Sequence, residues 1–177
     1  MKTSLYTATI PPFIKALGNL SAILDKAVIY AGEKSIPAET LLNSQLAPDQ
    51  FSLMRQVQLA CDQAKSFPAR INSQEPVSLS DNDKTVEDLK HHIDRTIEIL
   101  MTVKPEDIDG KEDTAEVVLP YMPGKKLNGF SFAFELAVPN FYFHIVTAYA
   151  ILRHNGMDLG KADYIGGLPL MEHIQEA

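Results

Sequence analysis

The sequence predicts an all-α protein built from long amphipathic helices, and three of its features carry that prediction. First, Tyr6, Ile10, Phe13, Leu17, Leu20, Leu24, Ala27 and Ala31 recur in alternating steps of four and three, which puts them on one stripe of a helix. Second, the segments 48–71 and 84–103 each repeat apolar residues at helical spacing. Third, a stretch opened by Pro139 is apolar or aromatic over most of its circumference, as expected of a central member of a bundle. Strand-like patterning is confined to a short excursion between the third and fourth long helices. The predicted architecture is a four-helix bundle with a short β-hairpin or irregular piece inserted there.

The first helix is expected to start near Ser4, to be kinked by Pro11 and Pro12, which lack backbone donors, and to stop near Gly32 or run on through Glu33 and Lys34. Residues 33–48 read as a connection with one short helical turn at 38–43. Pro48-Asp49 is expected to open the second helix, which runs to about Ile71. Leu53, Met54, Val57, Ala60, Cys61 and Ala64 fall in its apolar arc, and Arg55, Gln58, Asp62 and Lys65 form a polar stripe. Cys61 lies well inside that arc and reads as a small buried thiol, because reactive thiols sit in accessible, electropositive settings.

A polar loop, 73–83, leads to the third helix, 84–103, where Thr85 and Asp88 resemble a capping box. Its buried stripe is Val86, Leu89, Ile93, Ile97 and Leu100, with His92 at the flank and His91 nearly opposite. Asp81-Asn82-Asp83 and Asp107-Ile108-Asp109 lack the full ligand set of a calcium loop and read as solvated carboxylates. Residues 116–119 are a strand candidate and Pro123-Gly124 a turn, so a small hairpin packed on the helices is expected. The segment 129–137 alternates Phe130, Phe132 and Phe134 as a strand would, but is assigned as a short helix. Pro139 suits the first turn of the last long helix, whose Phe141, Ile145, Ala148 and Leu152 share one face with His144 on its flank. Asn155-Gly156 stops it, and the tail is expected to strap across the bundle. The chain reads as one domain, 1–177.

Composition excludes several functions. Lys and Arg number 16 against 23 Asp and Glu, a formal charge of −7, which argues against nucleic-acid or anionic-membrane partners. The longest charge-free run, 136–152, barely reaches membrane-spanning length and contains Pro139, Asn140 and His144, so no membrane partner is expected. The single Cys61 suits a reducing compartment, and Pro11, Pro12 and Lys15 interrupt what would be the apolar part of a secretory signal; a cytoplasmic location is expected. Gly129-Phe130-Ser131-Phe132-Ala133 lacks the final glycine of a nucleophile elbow, and no phosphate-loop or dinucleotide fingerprint is present. Tyr149 and Arg153, four apart, could face an anionic ligand, though Arg153 reads first as a structural partner for a carboxylate such as Asp62 or Asp163.

Four ordered motifs add a resemblance. Leu17-Gly18-Asn19-Leu20-Ser21-Ala22-Ile23-Leu24-Asp25-Lys26-Ala27, Leu46-Ala47-Pro48-Asp49, Gln56-Val57-Gln58-Leu59-Ala60-Cys61-Asp62 and the opening stretch together resemble one uncharacterised family. That family is a domain of unknown function grouped with the DinB-like (DinB/YfiT) superfamily of metalloenzyme-type bundles, and the likeness covers nearly the whole chain. It implies a four-helix bundle, often dimeric, so a homodimer is expected. Metal-binding members hold a divalent ion with one histidine on the second helix and an H-x-x-x-H pair on the last. Residues four apart share a helix face, so both imidazoles can reach one ion.

Carried over, His144 takes the first position of that pair and Ala148, which cannot ligate, the second. The second helix has no histidine; of its nearest polar residues, Gln58 and Asp62, only Asp62 is a good ligand type. An intact metal site is therefore not expected, and His144, Asp62 and His92 are the weak substitute ligands. The leading expectation is a small-molecule ligand held in an inter-helix pocket by Asp62, His144 and Tyr149, with no known cofactor. The alternatives are a divalent-metal-dependent transferase or hydrolase with replaced ligands, and a dimeric scaffold module.

Overall fold

Ser4 sets the start of the first helix, as its position before the apolar seam suggests. Its hydroxyl accepts from the Thr7 amide while the Thr7 hydroxyl accepts from the Ser4 amide, so two orphan donors are satisfied at once. The computed structural model describes residues 4–168. Helix α1, Leu5–Lys34, runs through Pro11 and Pro12 and past Gly32. It ends at Ser35, which adopts the left-handed conformation (φ 54°) and donates its N–H back to the Ala31 and Gly32 carbonyls. The seam is buried from Ile10 to Ala31, and Tyr6 is half-buried.

A short α2, Ala38–Leu42, buries Leu41 and Leu42. The second long helix, α3, spans Leu53–Ile71 and so begins later than the expected Pro48-Asp49. Residues 47–50 instead form a turn closed by the Gln50 amide on the Ala47 carbonyl (3.0 Å), and the Leu53 amide is taken by the Ser44 carbonyl (2.9 Å). Proline fits a helix start, but it fits a turn equally well, and here the turn prevails. Helix α4, Val86–Met101, carries the Thr85–Asp88 capping box. A single turn, α5, Pro105–Ile108, then precedes the expected hairpin: β1, Val117–Val118, pairs antiparallel with β2, Lys126–Leu127.

Residues 129–137 are helical. Helix α6, Gly129–Ser131, passes into a π-helical segment, Phe132–Ala137, and then into α7, Val138–His154. The wider winding lies just before Pro139, which has no N–H to continue the i→i−4 ladder. Gly129 is required by a close approach, since a Cβ there would lie 2.3 Å from the Lys111 carbonyl oxygen.

Helices α1, α3, α4 and α7 share one core, in which Phe13 packs on Phe141 (centroids 4.3 Å) and edge-on to Phe67 (6.0 Å). Helix α8, Lys161–Ile165, straps across α1, held by Asn19 donating to the Tyr164 carbonyl (2.9 Å) and by the Lys26–Asp163 pair (2.5 Å). The chain that leads to it is fastened by Tyr149 Oη donating to the Leu159 carbonyl (3.1 Å) and Arg153 Nη1 to the Met157 carbonyl (2.6 Å). Arg153 thus holds the tail through the Met157 carbonyl and a longer contact to the Asp158 carboxylate (3.9 Å), rather than through Asp62 or Asp163. Among the described residues no helix is long and apolar enough to cross a membrane.

Candidate functional site

Helix α3 points two kinds of polar side chain at its neighbours. From its apolar arc, Gln56 faces α7. There His144, buried, brings Nδ1 within 2.7 Å of Gln56 Oε1, so the ring donates from Nδ1; Gln56 Nε2 in turn donates to the Phe51 carbonyl (3.2 Å). Desolvation, and secondarily the Arg55 charge, holds the His144 pKa below its ordinary 6.5, so the imidazole is neutral. Ala148, one turn further along α7, is fully buried in the core. Gln56 was not singled out by sequence reasoning, although it follows Leu53 by three and precedes Ala60 by four, a spacing that places it on the buried face.

From its polar stripe, α3 meets the loop before α4 and α4 itself. Arg55 Nη1 donates to Asp81 Oδ2 (2.6 Å) and to Gln58 Oε1 (3.2 Å), while Gln58 Nε2 donates to Asp83 Oδ2 (2.8 Å). Asp83 Oδ2 also lies 3.0 Å from His92 Nδ1. Asp62 pairs with the buried Lys65 (2.8 Å). Asp81 and Asp83, expected to be solvated, are therefore docked onto the bundle. One ligand-type atom each from Asp62, Asp81 and His92 lies within 4.8 Å of the other two. His92 is 5% exposed, and its Nε2 is buried without a hydrogen-bond partner. Asp83 and His92 also line a cavity of about 330 Å³ together with Ser80, Asn82 and Arg95. Neighbouring Cys61 is inert, its thiol pushed up to about 12 by burial.

Of the residues singled out in the sequence, Asp62 and His92 are thus brought together, joined by Asp81. His144 stands apart on Gln56, and Tyr149 lies at the tail, its ring 6.1 Å from that of Tyr164. The three-histidine set implied by the superfamily does not fit this chain: α3 supplies glutamine opposite His144, and Ala148 fills the second position with a methyl group in the dry core.

A third feature is a groove of about 990 Å³ between α1, α7 and α8. Pro11, Pro12, Ala16 and Ile165 contribute apolar wall, and Lys15, Asn19, Tyr142 and Tyr164 contribute polar groups. Burial raises the pKa of both tyrosines, and the two phenols reinforce this at Tyr142, so both remain hydrogen-bond donors at neutral pH.

Comparison with known proteins identifies the family and the fold. A family described as a domain of unknown function, DUF1993, matches residues 5–165. The crystal structure of a DinB family member protein from Shewanella denitrificans is similar over 96% of each chain, at 43% identity and a TM-score of 0.90. No functionally curated protein matches the chain.

Proposed function

We propose, from the premise that the chain belongs to the DUF1993 family and has a DinB-like fold, that it binds a small molecule without an intact three-histidine metal site. The ligand is an apolar body with an anionic or hydrogen-bond-accepting head, seated in the groove between α1, α7 and α8. The observation that carries this reading is the groove's composition: about 990 Å³, mostly apolar wall, with the Lys15 ammonium and two phenol donors among its few polar groups. Tyr149 stands behind Tyr164 and positions it; His144 and Asp62 do not line the groove. The bundle centre is filled by Phe13, Phe141 and Ala148. The protein works as one domain in a reducing compartment, where its free, buried Cys61 needs no partner.

Titration with anilinonaphthalene sulfonate, an apolar ring system carrying one anion, tests this. Wild type is expected to bind one equivalent, Ala16→Trp to fill the groove and abolish binding, and Lys15→Gln to weaken it, all with native far-ultraviolet circular dichroism. Absence of saturable binding, or binding untouched by Ala16→Trp, contradicts the reading.

A second reading, a dimeric scaffold, draws on exposed Phe143 and Val146 one turn apart on α7 and on the exposed Phe130–Phe134 pair (5.0 Å). It requires a dimer mass in solution that falls to the monomer in Phe143→Glu; a monomeric wild type rejects it.

A further inference from the structure

We infer that Asp62, Asp81 and His92 form a binding site for a divalent first-row transition-metal cation, at a position separate from the one where the superfamily places its histidines. The geometry is the starting point. Three atoms no more than 4.8 Å apart all lie within about 2.8 Å of a common point, against metal–ligand bonds of about 2.0–2.2 Å, so small side-chain rotations close the site.

The second observation is His92 itself. Its Nδ1 faces the Asp83 carboxylate at 3.0 Å, an arrangement that keeps the proton on Nδ1 and leaves the lone pair on Nε2. That Nε2 is buried and has no partner, which is costly for a polar atom unless something occupies its acceptor site. A carboxylate bonded to the far nitrogen of an imidazole is the arrangement that orients metal-ligating histidines and raises their basicity. Gln58 in turn fixes the Asp83 carboxylate (2.8 Å), so this orienting layer is itself held.

The donor set selects the ion. Two carboxylates and one neutral imidazole suit Mn²⁺, Fe²⁺, Co²⁺ or Zn²⁺ better than the all-oxygen preference of Mg²⁺ and Ca²⁺ or the thiolate preference of Cu⁺. Three protein ligands leave coordination positions open for water or a small anion, and the 330 Å³ cavity lies beside the site, at His92 and the Asp83 carboxylate that orients it. None of its lining residues belongs to the α1–α7–α8 groove, so this site stands or falls separately from small-molecule binding there.

Two resident cations oppose the ion. Arg55 holds Asp81 through Oδ2 and the buried Lys65 holds Asp62 through Oδ1, so a metal must use the remaining carboxylate oxygens or displace these groups. That opposition separates a metal site from a plain ion-pair network. In an ion-pair network, neutralising Lys65 only leaves Asp62 unpaired; in a metal site it also strengthens binding.

The test uses the full chain, stripped with chelator, then titrated with Mn²⁺ followed by electron paramagnetic resonance and with Zn²⁺ followed by calorimetry. One equivalent of either ion is expected to bind wild type. Asp81→Asn, an isosteric change at an exposed position that keeps an acceptor for Arg55, and His92→Ala are expected to abolish saturable binding. Asp83→Asn is expected to weaken it roughly tenfold, as loss of an orienting carboxylate does. Lys65→Gln is expected to tighten it roughly tenfold, the scale of removing a unit positive charge a few ångströms away in a partly screened site. No saturable binding by wild type, or affinity that Asp81→Asn and Lys65→Gln both leave unchanged, overturns the inference.

Discussion

His144 and His92 make an instructive pair. Both are buried, both sit on helices that pack against α3, and both engage a partner through Nδ1. The partners differ. His144 meets the neutral amide of Gln56 from the apolar arc of α3, beside a fully packed interior, and desolvation keeps the ring uncharged. His92 meets the Asp83 carboxylate on the polar side of α3, with Nε2 unpartnered and two further carboxylates within reach. The difference shows that burial does not decide what an imidazole does. The charge and the capacity of the groups around it decide.

The comparison can be broken most forcefully from the closed side. Phe13→Ala removes a ring packed between Phe67 and Phe141 and should cost about 3–5 kcal/mol in urea unfolding. A loss near zero would mean that the interior is looser than its packing implies. Next in size, Gln56→Ala deprives the buried His144 Nδ1 of its acceptor and should cost about 1–3 kcal/mol, measured in the same way.

A pH series sharpens the contrast further. The folded-state pKa of His144 lies below the unfolded value of 6.5, so in the interval between them the unfolded chain binds the extra proton. Its contribution to stability is therefore complete above pH 6.5 and is lost as pH falls through that interval. His144→Gln should remove this part of the acid slope in urea midpoints measured between pH 7.5 and 4.5. The smallest effect is expected at the strap. The Asp163 carboxylate is held below its ordinary range by the Lys26 ammonium and the Gly160 amide at an exposed surface. Asp163→Asn should lower the melting temperature only slightly, and less still in high salt.

Much of the fold was legible in the sequence because its signals are periodic. The α1 seam, the Thr85–Asp88 capping box, the 116–119 strand and the helical reading of 129–137 all reappear in the structure, as does the resemblance to a DinB-like family. Pro48-Asp49 misled because proline chemistry serves turns and helix starts alike, and only the Ser44–Leu53 contact decides between them. The candidate site was harder to read. Asp62 and His92 stand 30 positions apart, and Asp81 lies in a loop with no periodicity, so nothing local marks them as neighbours. Gln56 was within reach, since its helical spacing already places a polar side chain in the core, three residues after Leu53 and four before Ala60.

The difference between the two histidines is tested most directly by the side-chain nitrogen resonances of ¹⁵N-histidine-labelled protein during a Zn²⁺ titration. His92 Nε2 is expected to shift strongly and saturate at one equivalent, while both His144 nitrogens stay in place. A metal-dependent shift at His144 with His92 unmoved would contradict the assignment of packing to one and ligand chemistry to the other.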